Sequence, residues 1–169
     1  MRSICVFSLL IAGVVVNLSC LNPFAPKLET NLATETCTDL RVLDNVLCVF
    51  RNAYAFKDTT LYGGIIASDF TFSYTDYDRG VDVTWGRDDE MRATYGLFQN
   101  VQSLALVWNN EISSSGNDTL RSVTKGFNLT VTFDPGDIVR VDGYANLTFA
   151  RQRSSDSWRI LRWQDESNF

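Results

Sequence analysis

Gly126-Phe127-Asn128-Leu129-Thr130-Val131-Thr132-Phe133 is the stretch that decides the fold. Phe127, Leu129, Val131 and Phe133 fall on one side and Asn128, Thr130 and Thr132 on the other, the period of two expected of a strand with one dry face. Residues 103–110, 138–150 and 158–164 alternate in the same way, so four strands are predicted to stand side by side as a wall. Asp134-Pro135-Gly136-Asp137 reads as the hairpin turn between the second and third of them. Residues 113–118 and 151–157 read as longer polar loops at the rim.

Upstream the period changes. Leu40, Leu43, Val46, Leu47, Phe50 and Tyr54 recur at three and four residues, a helix that Thr38 or Asp39 can cap. Lys57-Asp58-Thr59-Thr60 breaks that pattern and caps a short second helix carrying Leu61, Tyr62, Ile65 and Ile66. Gly63-Gly64 weakens this helix or lets another element come close. Phe70, Phe72 and Tyr74 then alternate as a strand, an acidic turn follows at residues 75–80, and residues 81–85 make a short run. Gly86 opens a third helix with Asp88, Asp89 and Glu90 in its first turn, where the helix dipole favours anions. Met91, Tyr95 and Phe98 are predicted to face inward from it.

A length of 169 residues with 45% apolar and 12% aromatic side chains is enough for one domain with a sizeable core. The net charge of -5, without any basic run, argues against nucleic acid, which is gripped through cationic contacts to phosphate. Histidine is absent, so the commonest general base and nitrogen metal ligand are missing, and any catalysis falls to carboxylates, Tyr, Lys or Cys. No metal constellation, glycine-rich phosphate loop or nucleophile motif is present, and no cofactor is expected.

The amino terminus reads as delivery. Residues 1–19 carry one basic residue, Arg2, and an apolar run over 4–16 that suits a signal-peptide core better than a membrane span. Ser19 before Cys20 resembles the lipobox of bacterial lipoproteins, which implies lipid on Cys20, a membrane as partner, and an exported location at the periplasmic or surface face. Residues 20–37, with Pro23 and Pro26, read as an extended tether, and the domain proper as 38–169. Removal of the signal and acylation of Cys20 leave Cys37 and Cys48 as an even pair, either a disulfide pinning tether to first helix or two separate thiols.

Two helices, a strand, a third helix and four long strands is the element order of the nuclear-transport-factor-2-like, or ketosteroid-isomerase-like, superfamily. Residues 50–74, with the Lys57-Asp58 turn and Ser68-Asp69-Phe70-Thr71-Phe72, resemble its N-terminal signature, and Trp158-Arg159-Ile160-Leu161-Arg162-Trp163 resembles its last strand. The resemblance spans residues 38–165 and implies an α+β, cystatin-like fold. A strongly bent antiparallel sheet of about five to six strands would wrap three N-terminal helices into a cone-shaped barrel with an apolar cavity. Steroid isomerases of that superfamily use a first-strand carboxylate and a first-helix Tyr. The matching positions here hold Tyr74 and Phe50, so neither part can be played.

Asp69 and Asp142 are the substitute carboxylates. Asp142 shares a strand face with Arg140 and Tyr144, either as an exposed polar surface or, if that face lines the cavity, as its polar site. Tyr54, Tyr74, Trp85 and Trp108 complete the candidate ligand contacts, being large rings with polar tips. Three functions are compatible with these features. The first is a membrane-anchored, non-catalytic binder of a small apolar ligand or a protein partner. The second is a His-free isomerase, dehydratase or hydrolase with an Asp/Tyr site. The third is a structural protein that dimerises through its sheet.

Overall fold

Helix α1 (Leu43–Phe56) buries Val46, Leu47, Phe50, Ala53 and Tyr54 along one stripe, the spacing visible in the sequence. It begins later than the Thr38 or Asp39 cap predicts. The Asp39 carboxylate accepts from the Arg41 backbone N–H at 3.0 Å and from Arg41 Nε at 2.8 Å, closing a turn, and Val42 takes the N-cap position. Lys57 ends the helix in the left-handed region at φ 54°. Asp58 then caps α2 (Thr59–Ile65), its Oδ1 accepting from Thr60 N–H at 2.8 Å and Leu61 N–H at 3.0 Å. These elements belong to a computed structural model that describes residues 37–167, so the expected signal peptide, Cys20 and all but the last residue of the expected tether lie outside the described residues.

Six strands follow in one sheet: β1 (Ile66–Asp76), β2 (Val81–Gly86), β3 (Ser103–Gly116), β4 (Leu120–Asp134), β5 (Asp137–Ala150) and β6 (Arg159–Ser167), with α3 (Arg87–Asn100) between β2 and β3. Their order is β2-β1-β6-β5-β4-β3. This is the expected α+β cone, a sheet curved round three helices and left open at its edges. One pairing departs from the antiparallel expectation: β1 and β6 run parallel, Phe72 opposite Trp163 and Tyr74 opposite Asp165. Parallel neighbours need a long crossover, and the whole chain between them supplies it. Curvature comes from register shifts between Trp108 and Glu111 and between Glu111 and Ser113 in β3, and between β5 and β6 at Thr148/Phe149, where bulges bend the strands.

Two further readings are corrected. Residues 113–116 belong to β3 rather than to a loop, because Ser113, Ser114 and Ser115 pair with Thr124, Val123 and Ser122, and a ladder overrides weak strand propensity. The β3–β4 turn needs Gly116, which sits at φ +125° where an added Cβ would lie 2.3 Å from the Leu120 carbonyl oxygen. On α3 the inward stripe is Glu90, Thr94 and Phe98, whereas Tyr95 is 56% exposed. Met91 packs beside Gly63, whose missing side chain admits it. Arg87 anchors the start of α3 by donating to the carbonyls of Ile66 (2.8 Å) and Gly63 (3.1 Å), and this fixes the rotation of the helix.

Cys37 and Cys48 are joined by a disulfide that ties the chain before α1 to the helix itself. Closing a loop across a separation of 11 residues should contribute about 2–3 kcal/mol by restricting the unfolded chain. A reductant is therefore expected to lower the urea midpoint, and an unchanged midpoint would show that packing of α1 alone holds this segment.

Candidate ligand cavity

Inside the cone lies a cavity of about 360 Å³. Phe50 and Tyr54 of α1 and Ala93 and Leu97 of α3 form one side. Trp108, Phe127, Leu129, Val131 and Val141 of the sheet form the other, since inward-pointing residues of β3, β4 and β5 have the same parity as the buried core. Phe133 and Val139 stand at the rim. Rings make the floor: Phe50 packs against Tyr54, Tyr62, Trp108 and Trp163 with centroids 5.0–5.4 Å apart. Trp108 keeps its polar tip satisfied by donating from Nε1 to the Leu47 carbonyl at 3.0 Å, so the ring faces are what the cavity sees.

Polar groups enter this wall at two places. On the helix side Glu90, 4% exposed, accepts from Tyr62 Oη at 2.5 Å, Trp85 Nε1 at 2.7 Å and Thr94 Oγ1 at 3.2 Å. Three donors around one buried carboxylate offset much of its desolvation. Tyr54 lies edge-on to Tyr62 with ring centroids 5.8 Å apart, and burial first, then the charge of Glu90, hold the Tyr54 hydroxyl well above the ordinary phenol range. Burial likewise holds the Tyr62 hydroxyl up, so both phenols stay protonated. On the sheet side Asp165 of β6 is 9% exposed, and its two oxygens accept from the Ser167 N–H (3.1 Å) and Oγ (3.0 Å). Burial outweighs those two bonds and raises its pKa above the usual carboxyl value. Trp163, next on the same face, also lines the cavity, and its Nε1 is buried without a hydrogen-bond partner.

Asp165 also borders a second recess of about 450 Å³, lined by Phe72, Tyr74, Tyr77 and Trp85 with Asp76 and Asp78 from the β1–β2 turn. Phe72, Trp85 and Asp165 line both spaces, so the recess adjoins the cavity across these three residues and is called the vestibule below.

Of the residues singled out from sequence, Tyr54, Trp85 and Trp108 line the cavity and Tyr74 lines the vestibule. Arg140, Asp142 and Tyr144 do not reach either. Odd-numbered residues of β5 point inward, so these three stand on the outer face, Tyr144 48% exposed, with Asp142 and Tyr144 beside a separate shallow groove. Asp69 is exposed near the start of strand β1. Sequence reasoning missed Glu90, Thr94, Trp163 and Asp165. The 90, 94, 98 spacing was a signal for the first pair, and continuing the alternation Trp163, Asp165, Ser167 inward was a signal for the second. No three His, Cys, Asp or Glu residues are placed to hold a metal ion among the described residues. No described helix is long and apolar enough to cross a membrane.

No protein-family model and no curated protein matches the chain. Solved structures do. A conserved protein from Planctomyces limnophilus superposes with a TM-score of 0.65 at 14% identity, over 75% of this chain and 93% of that one. A candidate scytalone dehydratase from Novosphingobium aromaticivorans gives 0.61 at 13% identity over 83% and 88%. A candidate dehydratase from the NTF2-like family from Streptomyces avermitilis gives 0.57 at 15% identity over 72% and 90%. The fold is therefore of the nuclear-transport-factor-2-like, cystatin-like kind, and these likenesses speak to fold alone.

Proposed function

We propose that the protein binds a small, flat, largely apolar molecule in the cone, with its polar end toward Asp165 and the Tyr54–Tyr62–Glu90 group. The observation that carries this is a cavity of about 360 Å³ whose wall is aliphatic and aromatic except at those two places. Trp85, Trp108 and Trp163 at the wall make intrinsic fluorescence a direct reporter. Planar terpenoid and polycyclic probes are expected to shift the emission with saturation, and bound mass should appear in native mass spectrometry. Ala93 lines the cavity from an exposed helix position, so Ala93→Trp should block the space without emptying the core and weaken binding at least tenfold, by about 1.4 kcal/mol or more. Equal binding by this variant would place the ligand elsewhere.

A second reading, acid–base turnover of the same ligand by isomerisation or elimination, is favoured by Asp165. A buried carboxyl with a raised pKa beside a largely apolar cavity is suited to carry a proton, and two of the similar structures are described as candidate dehydratases. Asp165→Asn separates the readings, since it should abolish turnover and preserve occupancy. Linkage supplies a control. The folded state holds this proton more tightly than the unfolded chain, so the stabilisation is complete below the ordinary carboxyl pKa and is lost as pH rises through the raised value. Above the raised value the ionised group is thus a burden, and Asp165→Asn should there leave stability unchanged or raise it.

We also propose that the domain is exported and held at a membrane through lipid on Cys20. The short apolar run over 4–16, Ser19-Cys20, and a disulfide suited to an oxidising compartment support this. Cells fed labelled palmitate should label the wild type, and Cys20→Ser should lose the label. Label retained in that variant would dismiss the anchor.

A further inference from the structure

The vestibule has a chemistry different from the cavity it adjoins. Its wall is a set of rings in mutual contact: Phe72 stacks on Trp85 at 4.4 Å, and Tyr74 lies 5.8 Å from Trp85 and 6.1 Å from Phe72. Tyr77 completes the aromatic side from the exposed β1–β2 turn. The remaining polar lining is carboxyl and hydroxyl: Asp76, Asp78, Asp165, Thr75 and Ser167. Arg79 pairs with Asp76 at 2.7 Å and directs a 71% exposed side chain there, which neutralises one of the three acids and leaves two. Among the described residues, no lysine or arginine lines the recess.

An anion placed there would meet two carboxylates beyond the Arg79–Asp76 pair, and a neutral polar group would gain hydrogen bonds to them without charge attraction. A cation would gain from the ring faces and from unneutralised carboxylates together. The chain's net charge of -5 favours its approach. We propose that the vestibule takes an alkylammonium group, so that the ligand of this protein is an amphiphilic amine whose flat apolar body fills the cavity and whose cationic head sits among Tyr74, Trp85, Asp78 and Asp165. The assignment rests on the cavity-binding function proposed above and names the ligand class for it. Asp165 serves both spaces: its oxygens accept from Ser167 and retain further acceptor positions, and it marks the boundary where the apolar body ends and the head begins.

The test uses the full chain in nanodiscs and two probes of one shape: phenylpropyl-trimethylammonium and its carbon isostere, in which a tert-butyl group replaces the ammonium head. Tryptophan emission reads both. The cation is expected to bind about tenfold or more tightly than the isostere, the order of effect that a partly desolvated aromatic and acidic site produces. Asp78→Asn, in an exposed turn, removes one carboxylate charge and should reduce that preference several-fold. Equal binding of the two probes would overturn the vestibule's role and leave cavity binding standing. Failure of both probes, with no response to any planar apolar compound, would overturn cavity binding and this inference with it.

Discussion

Phe50→Ala is expected to lower the unfolding free energy by about 3–5 kcal/mol, the range for deleting a fully buried aromatic ring. The ring is 1% exposed and is the hub on which Tyr54, Tyr62, Trp108 and Trp163 converge within 5.4 Å. Four rings cannot collapse into the void together, because Trp108 is tethered to Leu47 and Tyr62 to Glu90 by hydrogen bonds. The void would also join the ligand cavity, which Phe50 already lines, so the variant should accept bulkier ligands as its stability falls. Phe50→Leu, which keeps most of the volume, should cost much less, roughly 1.5 kcal/mol or under. Chemical denaturation followed by tryptophan emission reads both variants. A loss below about 1 kcal/mol for the alanine variant would mean that the aromatic floor repacks and is not the rigid base described above.

Glu90→Ala should have the other large effect. Its carboxylate is the acceptor for Tyr62 Oη, Trp85 Nε1 and Thr94 Oγ1; the Thr94 hydroxyl can turn to a carbonyl one helical turn back, so removing the carboxylate strands two buried or half-buried donors at about 1–3 kcal/mol each. Relief of a buried charge offsets part of this, so a net loss of about 2–4 kcal/mol is expected. Glu90→Gln retains one acceptor oxygen and should fall between the variant and the wild type. Tyr62→Phe in the alanine background removes one stranded donor, so the double variant should lose less than the sum of the singles. Strict additivity would show that Glu90 and Tyr62 do not act as one unit. Because Trp85 belongs to cavity and vestibule alike, a collapsed Glu90 cluster should also weaken ligand binding, whereas Trp163→Phe, which deletes an unpartnered buried N–H, should be close to neutral for stability.

Several parts of the domain were legible in sequence because they depend on local period. The strands β4 and β5 could be read from alternation, α1 from its three- and four-residue spacing, and the α2 cap at Asp58 from one side chain placed beside backbone donors. The hairpin at residues 134–137 was equally local, with Asp134 Oδ1 accepting from Gly136 N–H at 2.8 Å. The α3 stripe departs from the expected one because apolarity alone is not the mark of burial. On that helix a glutamate and a threonine are buried, and Tyr95 is not. A carboxylate is a credible inward residue only once Tyr62 and Trp85, 28 and 5 residues away in the chain, are seen to donate to it.

The same reasoning applies to the acid of the site. Alternation alone could place Asp165 and Asp142 each on a definite face of its strand, but not decide which of the two faces would be roofed by helices. By itself the amino-acid sequence determined the class of fold, the starts of α2 and α3, the hairpin and the strong bias of the interior toward aromatic rings. The tertiary structure decided the rest: that the face carrying Trp163 and Asp165 is the roofed one, that β1 lies parallel to β6 and so brings Tyr74 beside Asp165, and that Arg140, Asp142 and Tyr144 look outward. The physical reason is that period and propensity are properties of neighbours in the chain, whereas desolvation of a carboxyl group is a property of whatever packs over it.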